Sequence, residues 1–161
     1  MKSEELRIEN THIIMIKEIK LSSHFTLEEM CRSGVATRHK IKNIPDVVQT
    51  EHLRRLCLNV LEPLRRRFGV IRITSGFRSP ELNERVGGVR SSQHLRGEAA
   101  DIHISNMETG RKMFDFIRKN LVYDQLLFEH SMRNGACWLH VSYIEPREMN
   151  RRQAVPRYKA A

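Results

Sequence analysis

His94 and Asp101 lie seven residues apart within SSQHLRGEAAD, residues 91–101. A neutral imidazole nitrogen and a carboxylate oxygen are both good Zn²⁺ ligands, and a catalytic zinc normally takes three protein ligands and leaves a position for water. The third ligand must come from elsewhere in the chain. His140 in CWLHVSY is the best candidate: on a strand, Trp138, His140 and Ser142 share one face, and Leu139, Val141 and Tyr143 share the other. His103 competes with it, being two residues past Asp101 and so on the same strand face, as do Glu98 and Glu129. Spacing alone leaves that choice open. Ser92 and Gln93 adjoin His94 and could either meet a substrate or orient the imidazole.

The elements that must hold these residues are legible in part. Thr26 followed by Glu29 is a capping-box pattern, so TLEEMCRS reads as a short helix with Gly34 as its stop. Pro45 through Gly69 carries Val48, Leu53, Leu56, Leu58, Val60, Leu61 and Leu64 at broadly helical spacing and reads as the long core helix. Pro63 predicts a kink or break late in it. Residues 70–74 alternate as a strand, SGFRSP is a turn, and a short helix should start at Ser79 to Glu81 and end at Gly87 and Gly88. A second strand is expected over Ala99 to Ile104, an amphipathic helix over Met107 to Leu121, and strands over Gln125 to Phe128 and Trp138 to Tyr143. Helices first and strands clustered late are the pattern of an α+β fold, here a small antiparallel sheet packed against helices. The tail RRQAVPRYKAA reads as peripheral.

A chain of 161 residues fits one domain with a sufficient core. Residues 1–14 read as an N-terminal extension and 15–161 as the domain, because the domain pattern already begins after Met15. Cys31, Cys57 and Cys137 are an odd number without CxxC spacing, so they read as reduced thiols and not as a disulfide or zinc framework. No stretch is long and apolar enough for a membrane span, and the start lacks the apolar run and small-residue cleavage site of a signal peptide. The net charge of +9 attracts polyanions. Few aromatic residues and no nucleic-acid motif leave no dedicated nucleic-acid partner.

Ser92, His94, Gly97, Ala99 and Asp101 together match the SxHxxGxAxD signature, and the chain resembles the M15 family of zinc peptidases, which includes D-alanyl-D-alanine carboxypeptidases and peptidoglycan endopeptidases. ITSGFRSPELNERVGG, DQLLFE and WLHVSY are similar to further segments of that family, in the order and spacing of its M15A branch, from LSSHFTLEEM to about Tyr143. The resemblance implies the Hedgehog/DD-peptidase fold, one Zn²⁺ held by His94, Asp101 and His140, and Arg78 facing the substrate as a fixed cation that stabilises an oxyanion. Gly97, Ala99 and Ala100 would let the loop pass close to the metal. In several members a catalytic carboxylate stands three residues before the last histidine; here that position is Cys137, and Glu129 is the expected substitute, with His130, another acid, or a Glu129 that only pairs with an arginine as the alternatives. The implied activity is hydrolysis of D-amino-acid-containing wall peptides, by a monomer made in the cytoplasm and released or exported by another route. Carboxylate- and phosphate-rich walls also suit its basic charge. The alternative is a catalytically inactive zinc-containing wall-binding module on the same fold, which Cys137 keeps open.

Overall fold

The computed structural model describes residues 2–156. Helix α1 (Lys2–Glu18) crosses the expected boundary at residue 15, and Ile16 at its end packs against the core. The last five residues of the tail, 157–161, lie outside the described residues.

Thr26 caps α2 (Leu27–Cys31), its hydroxyl accepting the Glu29 amide at 3.2 Å. Gly34 does not end this helix. The chain turns at Arg32, Ser33 accepts the Ala36 amide, and Gly34 opens α3 (Gly34–His39). A serine able to cap outweighs a glycine able to stop. The long core helix consists of α4 (Val47–Leu56) and α5 (Glu62–Phe68), joined without a break by a π-helical turn at Cys57–Leu61. Pro63 sits in the first turn of α5, where its missing N–H is absorbed by the widened turn before it, so the helix continues through. Leu53, Leu56, Val60, Leu61 and Leu64 are fully buried along its inner face.

Strand β1 (Ile73–Ser75) starts later than its alternation suggests, and α6 (Pro80–Arg85) follows the SGFRSP turn with Ser79 as cap. Then come β2 (Ala99–Ile104), α7 (Met107–Asn120), β3 (Gln125–His130), β4 (Cys137–Ser142) and β5 (Gln153–Val155). The sheet order is β1-β2-β4-β3-β5; all pairings are antiparallel except β3 with β5, which is parallel. The fold is thus α+β with a mixed five-stranded sheet. The tail is peripheral only in position: its residues 153–155 supply the parallel edge strand.

One face of the sheet is core. Ala100, Ile102 and Ile104 of β2, Leu126 and Phe128 of β3, and Leu139 and Val141 of β4 pack against Met113, Phe114 and Ile117 of α7 and against the long helix. The other face, set by the period of two, presents Asp101, His140 and Glu129. Among the described residues no helix is long and apolar enough to cross a membrane.

Gly97 serves a different purpose from the one expected. Its φ is +72°, and a Cβ there would overlap the Gln49 carbonyl oxygen of α4 and approach Leu53. The glycine lets the turn after His94 dock on α4, not on a metal. Gly97→Ala should destabilise the fold by about 2–4 kcal/mol, combining left-handed strain with backbone overlap. For a chain of this length that is a drop on the order of 5–10 °C in the midpoint of thermal unfolding. An unchanged midpoint would show that the close approach carries no load.

Candidate metal centre and substrate cleft

His94 lies in a 3-10 turn, Gln93–Arg96, capped by the Ser92 hydroxyl, which accepts the His94 amide at 3.3 Å. The residue is 2% exposed, and its Nδ1 is 2.7 Å from the Gly76 carbonyl oxygen. A carbonyl only accepts, so Nδ1 carries the proton and Nε2 keeps a lone pair for the site. Gly76 in turn has no room for a side chain, since a Cβ would overlap the Met30 carbonyl. The close approach of α2 to the SGFRSP turn therefore fixes the carbonyl that fixes the tautomer.

Asp101 and His140 meet because β2 and β4 pair in a register that sets them opposite each other. Asp101 Oδ1 lies 3.0 Å from His140 Nδ1 and 3.3 Å from His94 Nε2, and the two imidazole centroids are 5.2 Å apart. Donor atoms on a tetrahedral zinc with bonds of about 2.0–2.1 Å are separated by roughly 3.3 Å. The two nitrogen–oxygen separations are close to that, and one ligand atom from each of the three residues lies within 4.8 Å of the others. His103 and Glu98 do not join this group: His103 is exposed, and Glu98 accepts from Arg96 Nε at 2.8 Å. Burial pushes the Asp101 carboxyl up, but the charge and hydrogen bonds of the facing imidazoles outweigh it and hold the group well below the usual carboxylate range. It stays an anion, as a metal ligand must.

Arg78 projects from the SGFRSP turn into the same place. Its Nη2 lies 3.2 Å from Asp101 Oδ2, its Nε donates to Ser75 Oγ at 2.9 Å, and its backbone amide donates to His94 O at 3.1 Å. Asn43 braces that turn from both sides, donating to Phe77 O and accepting from the Ser79 amide. Burial lowers the guanidinium's pKa, while the negative charges of Asp101 and Glu129 raise it. Glu129 is thus close enough to act on Arg78 electrostatically. It is cross-strand from Trp138, whose Nε1 donates to Glu129 Oε2 at 2.7 Å.

These residues line an open cleft of about 1050 Å³. Ser92 and Gln93 line it too, but both have structural partners: Ser92 caps the turn, and Gln93 Nε2 donates to Asp124 Oδ2 at 3.0 Å. Cys137 is elsewhere. With Leu139 it belongs to the core side of β4, its sulfur 4.0 Å from Met107 Sδ. Asp124, Asn43 and the Gly76 carbonyl are positioning groups that no local sequence pattern marks. Asp124 stands directly before the strand segment QLLFE, where an acid reads as ordinary turn chemistry.

His94 Nε2, Asp101 Oδ1 and His140 Nδ1 form a donor set of two nitrogens and one oxygen at the floor of a cleft. That set fits a divalent zinc with one position left open. A comparison with curated protein sequences gives no match. A family model described as Peptidase M15 matches residues 23–142, which run from just before α2 to the end of β4 and contain the whole candidate centre. With roughly three quarters of its length matched, the chain belongs to the peptidase M15 family.

Proposed function

We propose that the chain is a zinc-dependent peptidase that hydrolyses D-amino-acid-containing peptide bonds in peptidoglycan stems or cross-links. The observation that carries this reading is the group formed by buried His94 and Asp101 and half-buried His140 at the floor of an open cleft, with Arg78 and Glu129 facing the same space. Bound there, zinc would supply Lewis acidity toward a carbonyl and lower the pKa of a water molecule.

This chain's own residues do the rest. His94, its Nδ1 proton committed to Gly76, keeps its lone pair directed inward. Arg78, braced by Ser75 and Asn43, is preorganised to bind the scissile carbonyl oxygen and to stabilise negative charge as it develops there. Glu129 takes a proton from the attacking water and later delivers it to the leaving amine. The Trp138 N–H holds one carboxylate oxygen of Glu129, which leaves Oε1 for that transfer.

The other reading, a non-catalytic wall-binding module, rests on the thiol of Cys137 at the position where the resemblance implies an acid. A carboxylate on the cleft side weighs against it. Both readings are tested by incubating purified peptidoglycan with the zinc-loaded chain and measuring released muropeptides by mass spectrometry. New fragments are expected, and their masses identify the bond cut. A chain that holds zinc and binds walls but releases no fragment would overturn the peptidase reading in favour of the binder.

A further inference from the structure

Residues beyond the matched span 23–142 close one side of the cleft: Ile144, Glu145, Met149 and Arg151 all line it. Asn150 fastens this strap, donating to Ile144 O at 2.8 Å and accepting from the Ile144 amide at 2.9 Å. Asp124, at the foot of β3, holds it more firmly. Its side chain is 2% exposed. Its Oδ1 accepts from the Arg151 amide and from Nε, both at 3.0 Å, and its Oδ2 accepts from Nη2 at 2.7 Å. Gln93 Nε2 is bound to the same Oδ2. One buried carboxylate therefore ties the strap to the turn that carries His94.

The geometry leaves Arg151 with a free edge. The pair with Asp124 uses Nε and Nη2, and Nη1 takes no part in it. The Arg151 side chain is 59% exposed and lines the cleft, whereas the carboxylate it grips is almost wholly buried. An approaching anion meets the guanidinium first. A side chain already held from behind also loses little conformational freedom when a ligand reaches its outer edge. The two other cleft arginines have different employment: Arg78 faces Asp101 within the centre, and Arg96 pairs with Glu98.

We propose that Arg151 binds a free carboxylate of the substrate peptide and that Asp124 is the residue that positions it. This rests on the peptide substrate proposed above and adds what that peptide must carry. A carboxylate is the group that gains most from a fixed guanidinium, because charge-assisted hydrogen bonds are roughly twice as strong as neutral ones.

The test uses Trp138, the single tryptophan of the chain, which lines the same cleft. Its fluorescence reports binding to the zinc-loaded full chain within the first moments of mixing, before turnover. Two peptide pairs separate the possible carboxylates: N-acetylated Lys-D-Ala-D-Ala as free acid and as C-terminal amide, and a γ-D-glutamyl peptide with its α-carboxyl free or amidated. The parent should bind at least one acid about tenfold more tightly than its amide. Arg151→Ala should abolish that preference, Arg151→Lys should restore part of it, and Asp124→Asn should weaken it. The acid-to-amide ratio is taken within each variant, so a smaller folded fraction cancels, and Arg151→Lys carries the test if Arg151→Ala does not fold. No preference in the parent for either acid, or a preference unchanged by both Arg151 substitutions, overturns the proposal. Failure to release muropeptides while the Arg151-dependent preference persists sinks the hydrolytic reading alone.

Discussion

His94→Ala should lose its zinc and with it nearly all peptidase activity. Removing an outer partner of a metal ligand commonly costs 10–100-fold in affinity or activity. Deleting a ligand from a set of three should cost more, on the order of a thousandfold or greater in metal affinity. Two measurements check this. The metal content of purified protein should fall from one zinc per chain toward none. Added zinc should raise the thermal midpoint of the parent but not of the variant, since a ligand at 100 times its Kd stabilises the native state by about 2.7 kcal/mol. The protein should still fold without the ion. The 3-10 turn is held by Ser92, by the contact of Gly97 with α4 and by Gln93 on Asp124, and none of these needs the imidazole. A variant that retains stoichiometric zinc would show that the metal is held elsewhere.

Residue types mark His94, Asp101 and His140 as candidate ligands, but the choice of His140 over His103, Glu98 and Glu129 rests on the family resemblance, and the meeting of the three is a property of the fold. Strand alternation sets His140 with Trp138 and Ser142 on one face of β4, and that face and Asp101 do look into the same cleft. That Asp101 and His140 stand opposite each other depends on the β2–β4 register, a pairing between segments 39 residues apart that no local pattern encodes. β2, β3, β4, α6 and α7 were legible within a few residues, because alternation, caps and amphipathic spacing are local signals. β5 was missed for the opposite reason. Three residues of Gln, Ala and Val have no hydrophobic pattern, and the segment is strand only because Asp124 and β3 hold it. Asn43 and Asp124 are invisible in the same way: each is an ordinary polar residue whose role comes from distant backbone and side-chain partners. The need for glycine at position 97 is not legible locally, because its crowding comes from α4, almost fifty residues earlier in the chain. The side of the sheet that Cys137 takes is legible in the sequence. An odd separation of three on a regular strand puts it on the opposite face from His140, and the structure places its sulfur beside Met107.

That parity sharpens the last question, which carboxylate moves the proton. Glu129→Gln should lower kcat by about 10²–10⁴-fold, the usual contribution of a positioned general acid–base. Zinc content and KM should stay close to those of the parent. Glutamine is the informative replacement. Its amide oxygen can still accept the Trp138 N–H, now 2.7 Å from Glu129 Oε2, so side-chain position is kept while basicity is lost. A shape-preserving change that removes a proton acceptor should act on the chemical step alone. Cys137→Ala is the matching control. Its side chain lies on the core side of β4, so the substitution should cost some stability and leave kcat within about a factor of two. His130→Ala separates the neighbouring alternative, since His130 and Glu129 are adjacent on β3 and project to opposite faces of a regular strand. If Glu129→Gln retained full kcat while either control lost it, the proton would travel through that residue, and Glu129 would be left as the group that orients Trp138 at the cleft wall.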